Sequence, residues 1–148
     1  MSQPTIRACD PSDADALALV GAATFLATFA GVLDGAAIVA HCAQAHSPRR
    51  YRELLAEGYE LWLAQVEPGA APVGYAMIGP STLDLSHPGD VELKRIYVLD
   101  RFHGAGVGPA LMRTVTDLAS ARGAPQSARA MSCSVAETAS SSFSYSAS

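Results

Sequence analysis

Three glycines at alternate positions mark the stretch of this sequence that is best suited to hold an anion. Gly104, Gly106 and Gly108 lie in the segment from His103 to Gly108, directly after a strand pattern and directly before a helical one. In such a turn, backbone N–H groups and the positive end of a helix dipole point at one spot, and the missing side chains let an anion approach. The spacing therefore predicts a loop that binds a phosphate-bearing ligand.

The segments on either side of this loop have the periodicities of a strand and a helix. Residues 91 to 99 alternate with a period of two and are rich in β-branched and aromatic side chains, which is typical of a strand. A regular strand divides them into one face with Val91, Leu93, Arg95, Tyr97 and Leu99 and another with Glu92, Lys94, Ile96 and Val98. After the loop, apolar residues recur at helical spacing at Val107, Leu111, Val115 and Leu118.

The bulk composition is that of one globular domain. The chain has 148 residues, of which 49% are hydrophobic and 16% charged, enough for a single core. The net charge is −4, and ten Lys and Arg form no recognisable basic face, so we expect no nucleic-acid binding. The alanine-rich segment from Ala14 to Ala45 is interrupted by polar residues, so no membrane span is expected. The N-terminus has no basic region followed by an apolar run, so no signal peptide is expected.

Cysteine usage favours a reducing compartment. Cys9, Cys42 and Cys133 are odd in number, far apart and without a C-x-x-C pair, which predicts neither a disulfide framework nor a zinc knot. His41 and His46 flank a cysteine, but two histidines on a helix edge are usually ordinary surface or boundary residues. We therefore expect a cytoplasmic protein without a metal.

Upstream of the loop, the chain predicts a strand, three helices and an antiparallel hairpin. The strand is expected at Thr5 to Cys9, and Asp10-Pro11-Ser12-Asp13 is typical of a helix start. The other helices are expected from Asp34 to Ala45 and from Arg49 to Glu57, the hairpin strands at Tyr59 to Val66 and Pro72 to Ile78, and a loop from Gly79 to Asp90. The order is mixed α/β with an antiparallel start.

Two details within these elements are testable against the structure. The buried face of the first helix is expected to carry Leu17, Val20, Thr24 and Leu26 before Gly31 ends the helix. Gly74, inside the second hairpin strand, predicts a β-bulge or a close backbone approach.

Two familiar phosphate loops do not fit the glycine segment. A Walker loop ends in Gly-Lys-Ser/Thr, whereas Gly108 is followed by Pro109 and Ala110. A dinucleotide-binding loop belongs to a first β-α-β unit with an acidic residue at the end of the next strand, and this loop comes late in the chain without one.

The stretch from Leu93 to Leu111 resembles the acetyl-CoA-binding signature of the GCN5-related N-acetyltransferases (GNAT). That signature reads Arg/Gln-x-x-Gly-x-Gly/Ala, and His103-Gly104-Ala105-Gly106-Val107-Gly108 fills it here. The order of elements from Thr5 to Arg122 is also similar. The resemblance implies an α/β (α+β) GNAT-like acyl-CoA N-acyltransferase fold, with a mixed, mostly antiparallel sheet flanked by helices.

The resemblance also implies how acetyl-CoA binds as co-substrate. Backbone N–H groups from Gly104 to Gly108 would hold the pyrophosphate, and the strand before the loop would bind the pantetheine arm as an added strand does. His103 stands where the family has Arg or Gln, and it is either a phosphate contact or an exposed loop residue. The cofactor-binding residues implied are Ile96, Tyr97, Val98, His103, Gly104, Ala105, Gly106, Val107 and Gly108.

Three further residues have both a functional and a structural interpretation. Glu92 matches the acidic position that often serves the family as general base, usually through water, but it could instead be an outward residue paired with Lys94 or Arg95. Phe25 and Phe29, one helical turn apart, either pack in the core or line a substrate pocket.

The sequence after Arg122 departs from the family pattern. The family continues with a fifth strand and a segment that often supplies a tyrosine general acid, whereas residues 125–148 are rich in Ser and Ala. A substitute strand is expected at 129–135, where Met131, Cys133 and Val135 alternate with serines, and Tyr145 is not expected to be the acid. Our hypothesis is a domain over residues 1–124 followed by a truncated or frame-shifted tail in which the C-terminal strands are missing or replaced.

Two functions follow from the resemblance. The first is an N-acetyltransferase that transfers the acetyl group of acetyl-CoA to a primary amine of a small molecule or protein. The alternative is a catalytically impaired CoA-binding or interaction module, for which an exposed sheet edge would favour a homodimer.

Overall fold

The computed structural model describes residues 3–80 and 91–121 of the chain. In chain order they form β1 (Thr5–Ala8), α1 (Ala14–Phe29), α2 (Gly35–Ala45), α3 (Pro48–Ala56), β2 (Glu60–Val66), β3 (Ala71–Pro80), β4 (Val91–Val98) and α4 (Val107–Ala121). Short 3-10 turns precede α1, at Pro11–Asp13, and follow β4, at Asp100–Phe102. Each of these strands and helices was predicted, although β3 extends into the expected loop because Gly79 pairs with Glu92 of β4.

The four strands form one antiparallel sheet in the order β1-β2-β3-β4, with helices on both faces. One face packs against α4, and its buried residues, the α4-side core, include Ala76, Ile78, Leu93, Ile96, Val98, Leu111 and Val115. The other face packs against α1 and α3, and its buried residues, the α1-side core, include Leu17, Val20, Tyr51, Leu54, Leu63, Tyr75 and Tyr97. The predicted antiparallel sheet with flanking helices is thereby confirmed.

Polar side chains begin the helices at the predicted positions. The Asp10 carboxylate accepts a hydrogen bond from the Ser12 N–H, and Asp13 reaches back to the Asp10 N–H. Asp34 caps α2 by accepting from the Ala36 N–H, and Ser47 caps α3 by accepting from the Arg50 N–H. These caps fix the entry of each helix onto the sheet.

The buried face of α1 differs from the prediction at one residue. Leu17, Val20 and Thr24 are buried as expected, but Leu26 is 52% exposed and Phe25 is buried in its place. At about 100° per residue, Leu26 lies roughly half a turn around the helix from Leu17. The prediction for Leu26 is therefore wrong, because Leu26 is apolar but does not have the helical spacing that would place it on the same face as Leu17.

Gly74 is required by a close approach of two strands, as predicted. A Cβ on Gly74 would lie 2.8 Å from the Tyr97 carbonyl oxygen, which is backbone and cannot move aside. The β2–β3 pairing is also irregular beside it, since Ala64 pairs with Gly74 and Gln65 pairs with Pro72.

A second β-bulge changes the faces of β4. Leu93 pairs with Ile78 and Arg95 pairs with Met77, so Lys94 is an extra residue on the β4 side. The inserted residue moves Leu93 onto the α4-side core with Ile96 and Val98, while Tyr97 belongs to the α1-side core. The predicted regular alternation, with Leu93 and Tyr97 on one face, is therefore wrong.

The bulge gathers the charged residues of β4 on the α1 side of the sheet. Glu92 is adjacent to Leu93 and so projects to the opposite face, over its partner Gly79. The Lys94 Cε lies 3.3 Å from the position that a Gly79 Cβ would occupy, which places the Lys94 side chain on the same face. Arg95 pairs with Met77 of the α1-side core, so three charges share this face.

One segment of the described chain is long and apolar enough to cross a membrane by length and composition, namely Pro11–Phe29. This is weak evidence, since the core helix of a globular domain meets the same criterion, and α1 packs against β3 and α3. The expected strand at 129–135, Tyr145 and the rest of the tail lie outside the described residues.

Candidate active site

The glycine loop leads directly into α4 and presents backbone donors. Gly104 and Gly106 have φ of 82° and 85°, in the left-handed region that favours glycine. The first N–H to enter the helical ladder is that of Ala110, which donates to the Gly106 carbonyl at 3.0 Å. Pro109 has no N–H, so the N–H groups of Val107 and Gly108 precede the ladder and can bind an anion.

Ala105 and Val107 contribute to this loop in different ways. The Ala105 N–H donates to the Phe102 carbonyl at 3.1 Å, so it closes a turn within the protein. The Val107 side chain is buried in the α4-side core, which anchors the start of α4 and leaves only its backbone to a ligand. The donors left for an anion are the N–H groups of the three glycines and Val107.

Gly108 is a glycine that the described fold does not require. Its backbone is not in the left-handed region, and an added Cβ would meet nothing within 4 Å. Alanine would favour the helix more than glycine does. The space that a Cβ would fill is therefore the space through which a ligand reaches the backbone donors.

The edge of β4 offers a second set of backbone groups. The Leu99 N–H donates to the Val73 carbonyl at 2.9 Å, so Leu99 and Tyr97 face β3, and the backbone groups of Ile96 and Val98 point to the other edge. Within the described residues no strand pairs with that edge. The side chains of Ile96 and Val98 belong to the α4-side core, and the Tyr97 ring stacks on Tyr75.

His103 contacts the same strand edge. Its Nε2 lies 3.0 Å from the Val98 carbonyl oxygen and 3.7 Å from the Asp100 carboxylate, and the side chain is one-third exposed. The imidazole thus bridges the loop and the end of β4. The structure connects Ile96, Val98, His103 and the glycines into one continuous surface, with its donors on the loop and along the strand.

Glu92 is buried and ion-paired. Its Oε2 lies 2.7 Å from the Lys94 Nζ, and the two side chains are 3% and 14% exposed. Of the two partners expected in the structural interpretation, Lys94 is the one found. The pair lies on the α1 side of β4, at the far end of the strand from the glycine loop.

Sequence reasoning missed a buried polar network on that face. The His46 Nδ1 lies 2.7 Å from the Tyr51 hydroxyl, and the Tyr51 hydroxyl donates to that of Tyr75 at 3.3 Å. Burial lowers the pKa of His46 to about 4 and raises the pKa values of Tyr51 and Tyr75, so all three are neutral at pH 7. A sequence-level indication existed in Gly21, a glycine inside α1, where a Cβ would collide with the Tyr51 hydroxyl and His46.

The two phenylalanines, on α1, lie at the His46 end of this network. The Phe25 ring is buried, lies 4.6 Å from the Phe29 ring and stacks on His41 at 4.2 Å. Phe25 also contacts His46, at a centroid distance of 5.7 Å. They thus contact the histidines of this network rather than the glycine loop, and their expected role in substrate binding stays a prediction.

Two other features of the described residues do not form part of this site. No group of three metal-ligating side chains occurs among residues 3–80 and 91–121. A cavity of about 490 Å³ lies at the β1 edge of the sheet, opposite β4, and is lined by Cys9, Arg52 and Trp62 among others. Burial raises the pKa of the Cys9 thiol to about 12, so that thiol is no nucleophile at neutral pH.

A family model and the geometry agree on what kind of protein carries such a site. The model of the acetyltransferase (GNAT) family matches residues 33–143, which include β4, the glycine loop and α4. The chain belongs to the GNAT acetyltransferase family. The matched range continues past Arg122 into the Ser- and Ala-rich tail. A comparison of the sequence with curated proteins gives no match.

Solved GNAT structures share the fold. The PaiA N-acetyltransferase of Thermoplasma acidophilum, in complex with coenzyme A, superposes with a TM-score of 0.68 at 16% identity, over 83% of this chain and 75% of that one. A GNAT acetyltransferase of Brucella melitensis, in complex with acetyl-CoA, gives 0.57 at 20% identity, over 81% and 70%. The ribosomal-protein-alanine N-acetyltransferase of Brucella melitensis biovar Abortus 2308 gives 0.60 at 18% identity, over 82% and 75%.

Proposed function

We propose that this protein is an acetyl-CoA-dependent N-acetyltransferase that acts on a primary amine of a small molecule or protein. The observation that carries the proposal is the run of backbone donors at the start of α4, which continues directly from the edge of β4 that no strand of residues 3–80 and 91–121 pairs with. Gly108 adds weight, because the described fold itself has no use for a glycine there. Two of the structural relatives contain coenzyme A or acetyl-CoA, which supports the same ligand here.

The two backbone surfaces suit two parts of the cofactor. The N–H groups of Gly106, Val107 and Gly108, with the positive end of the α4 dipole, would hold the pyrophosphate. The amide groups of the pantetheine arm would pair with Ile96 and Val98 as an added strand does. In this structure the Val98 carbonyl accepts a hydrogen bond from His103. The pantetheine arm would therefore have to displace the imidazole from that oxygen.

Acetyl-CoA supplies an acetyl group activated as a thioester. The protein must bind the acceptor amine next to it and remove a proton, because an ammonium is no nucleophile. Glu92 is a carboxylate on the strand that would carry the cofactor, and we assign it the role of proton acceptor, through water. Lys94 stabilises its ionised form, which is the form that accepts a proton.

Ligand-induced stabilisation and turnover test the proposal separately. Acetyl-CoA at about 100 times its Kd should stabilise the fold by about 2.7 kcal/mol, which thermal unfolding would detect as a higher Tm. Release of free CoA in the presence of an amine panel, including peptides with free N-termini and lysine peptides, would show the transfer.

The outcomes of this test separate the two functions. Stabilisation with CoA release supports the enzyme, and stabilisation without release for any amine supports a CoA-binding module. No change of Tm at millimolar acetyl-CoA would overturn both, because each needs the cofactor to bind.

A further inference from the structure

The α1 side of β4 carries a cation that has no anionic partner among the described residues. Arg95 follows the bulge and pairs with Met77, so its side chain enters the layer that contains Tyr51, Tyr75 and Tyr97. Tyr75 stacks on Tyr97 at 5.6 Å, and Tyr51 meets Tyr75 edge-on at 6.1 Å. The Arg95 guanidinium interacts with the side chains of these three tyrosines.

One hydrogen-bond donor in this layer lacks an acceptor. The Arg95 Nη1 is buried and makes no hydrogen bond. The Tyr75 hydroxyl, in the same layer, shares a hydrogen bond with the Tyr51 hydroxyl at 3.3 Å, and the Tyr51 hydroxyl also lies 2.7 Å from the His46 Nδ1. Buried donors are normally satisfied, so the unsatisfied guanidinium nitrogen indicates a group that belongs there.

The neighbouring charges indicate what that group is. Burial lowers the pKa of Arg95, and the hydroxyls of Tyr75 and Tyr51 raise it by more, so the guanidinium stays charged. Lys94 is already paired with Glu92, and His46 is neutral at pH 7 because burial lowers its pKa to about 4. The layer therefore has one uncompensated positive charge, which matches a carboxylate better than a dianionic phosphate.

We propose that Arg95 and Tyr75 bind a carboxylate of the acceptor, so that the acceptor is an amine that also carries a carboxylate. This inference rests on the proposed function, since it names the substrate class of the same site. Arg95 and Glu92 share one face of β4, and their partners Met77 and Gly79 are two residues apart on β3, a separation of about 7 Å. An acceptor that reaches both residues has its amine and its carboxylate separated by a chain of several atoms, as in an ω-amino acid.

Matched acceptors test this directly. The probes are 6-aminohexanoate and its uncharged amide, 6-aminohexanamide, and the measured quantity is kcat/KM for acetyl transfer. The wild type should prefer the carboxylate by about tenfold or more, mainly through KM, because an unpaired charged donor disfavours the neutral compound.

Variants should remove the preference without removing transfer. Arg95→Gln should bring the two probes to within about twofold of each other while the Kd of acetyl-CoA stays the same, and Tyr75→Phe should reduce the preference by a smaller factor. Arg113→Gln, an exposed arginine of α4 on the other side of the sheet, is the matched control and should keep the preference. A wild type without preference, or a preference that survives in Arg95→Gln, overturns the inference.

A binding measurement separates this inference from the proposed function. If no amine is acetylated, the proposed function fails, but hexanoate should still bind in ligand-observed NMR and hexanamide should not. Loss of the hexanoate signal in Tyr75→Phe, which keeps the ring, supports the inference even where Arg95→Gln does not fold. If hexanoate does not bind to the wild type and the wild type does not prefer 6-aminohexanoate over its amide, carboxylate binding at this site is ruled out.

Discussion

Glu92 and Lys94 form a 2.7 Å ion pair on a sheet face where the β4 bulge also places Arg95. Both members of the pair are largely withdrawn from water, so removing either one leaves the other buried without its ion-pair partner. Glu92 is also the proposed proton acceptor. Experiments must therefore separate its contribution to the stability of the fold from its contribution to kcat.

Replacing Glu92 by glutamine is expected to affect rate and stability together. Loss of a general base typically lowers kcat by about 100-fold or more, whereas the Kd of acetyl-CoA should not change, because the glycine loop is untouched. Leaving Lys94 unpaired should lower the free energy of unfolding by about 3–5 kcal/mol. Steady-state kinetics, calorimetric titration and urea unfolding measure the three quantities.

Lys94→Gln is the control for this prediction. It breaks the same ion pair but keeps the carboxylate, so it should lower stability by a similar amount and kcat by much less. Equal losses of kcat in both variants would show that Glu92 acts through the fold and not as a base.

Gly108→Ala is expected to separate binding from stability. Nothing in the described fold meets an added Cβ, and alanine favours a helix, so the free energy of unfolding should be unchanged or higher by up to about 1 kcal/mol. The same methyl group would lie where the pyrophosphate approaches the backbone donors, so the Kd of acetyl-CoA should rise by about tenfold or more.

The matched control is Gly35→Ala, at the first residue of α2, where an added Cβ also meets nothing. It should leave the Kd of acetyl-CoA unchanged. Unaltered affinity in Gly108→Ala would remove the main support for the cofactor site.

Gly21→Ala should test the packing of α1 over the buried tyrosines. A Cβ at this position collides with the Tyr51 hydroxyl and with His46, which are themselves hydrogen-bonded. Overpacking of this kind costs about 1–3 kcal/mol, only partly offset by the helix propensity of alanine. In a Tyr51→Phe background the collision with the hydroxyl is removed and only that with His46 remains, so Gly21→Ala should cost less there, as urea unfolding of the four combinations would measure. Additive losses would contradict this.

The burial of His46 predicts a defined acid sensitivity. The folded pKa is about 4 against an unfolded value of 6.5, so the unfolded state binds the proton more readily between these values. The contribution to stability is therefore complete above pH 6.5 and is lost as the pH falls to 4, by about 3 kcal/mol in total.

His46→Gln isolates this effect, because glutamine can still hydrogen-bond to Tyr51 but does not titrate. The difference in unfolding free energy between wild type and variant should change between pH 6.5 and 4 and be flat on either side. The pKa of Asp13 is lowered by its hydrogen bonds to Arg7, so its contribution to the free energy of unfolding is lost in a more acidic range. That contribution is the same in the wild type and the variant. A constant difference across the window would show that His46 charges freely in the fold.

Local sequence patterns predicted much of this fold, and the misses have physical causes. Asp34, Ser47 and the Asp10–Asp13 turn marked helix starts because capping depends on residues a few positions apart. The bulge at Lys94 could not be found, because it depends on how β4 registers against β3, and a period-two pattern assumes a regular strand.

The candidate site was predictable to a similar degree. The glycine loop is contiguous in sequence, and its glycine spacing is typical of only a few kinds of ligand-binding loop. Its residues could therefore be predicted from the sequence. Tyr51, Tyr75 and Arg95 come from three separate elements, and only tertiary packing makes their hydroxyls and guanidinium neighbours. Each of them alone is an unremarkable residue of a helix or strand.

The strand order β1-β2-β3-β4 also sets which part of the sheet opens first. Strands β2, β3 and β4 pair with their neighbours in sequence, whereas β1 reaches β2 only after three helices. Closing that longer connection costs about 2 kcal/mol more in chain entropy than closing the β2–β3 turn, and β1 has only four residues to offset it. In hydrogen exchange, the amides of β1 should therefore lose protection well before those of β3, so that the sheet frays from the edge opposite the proposed active site.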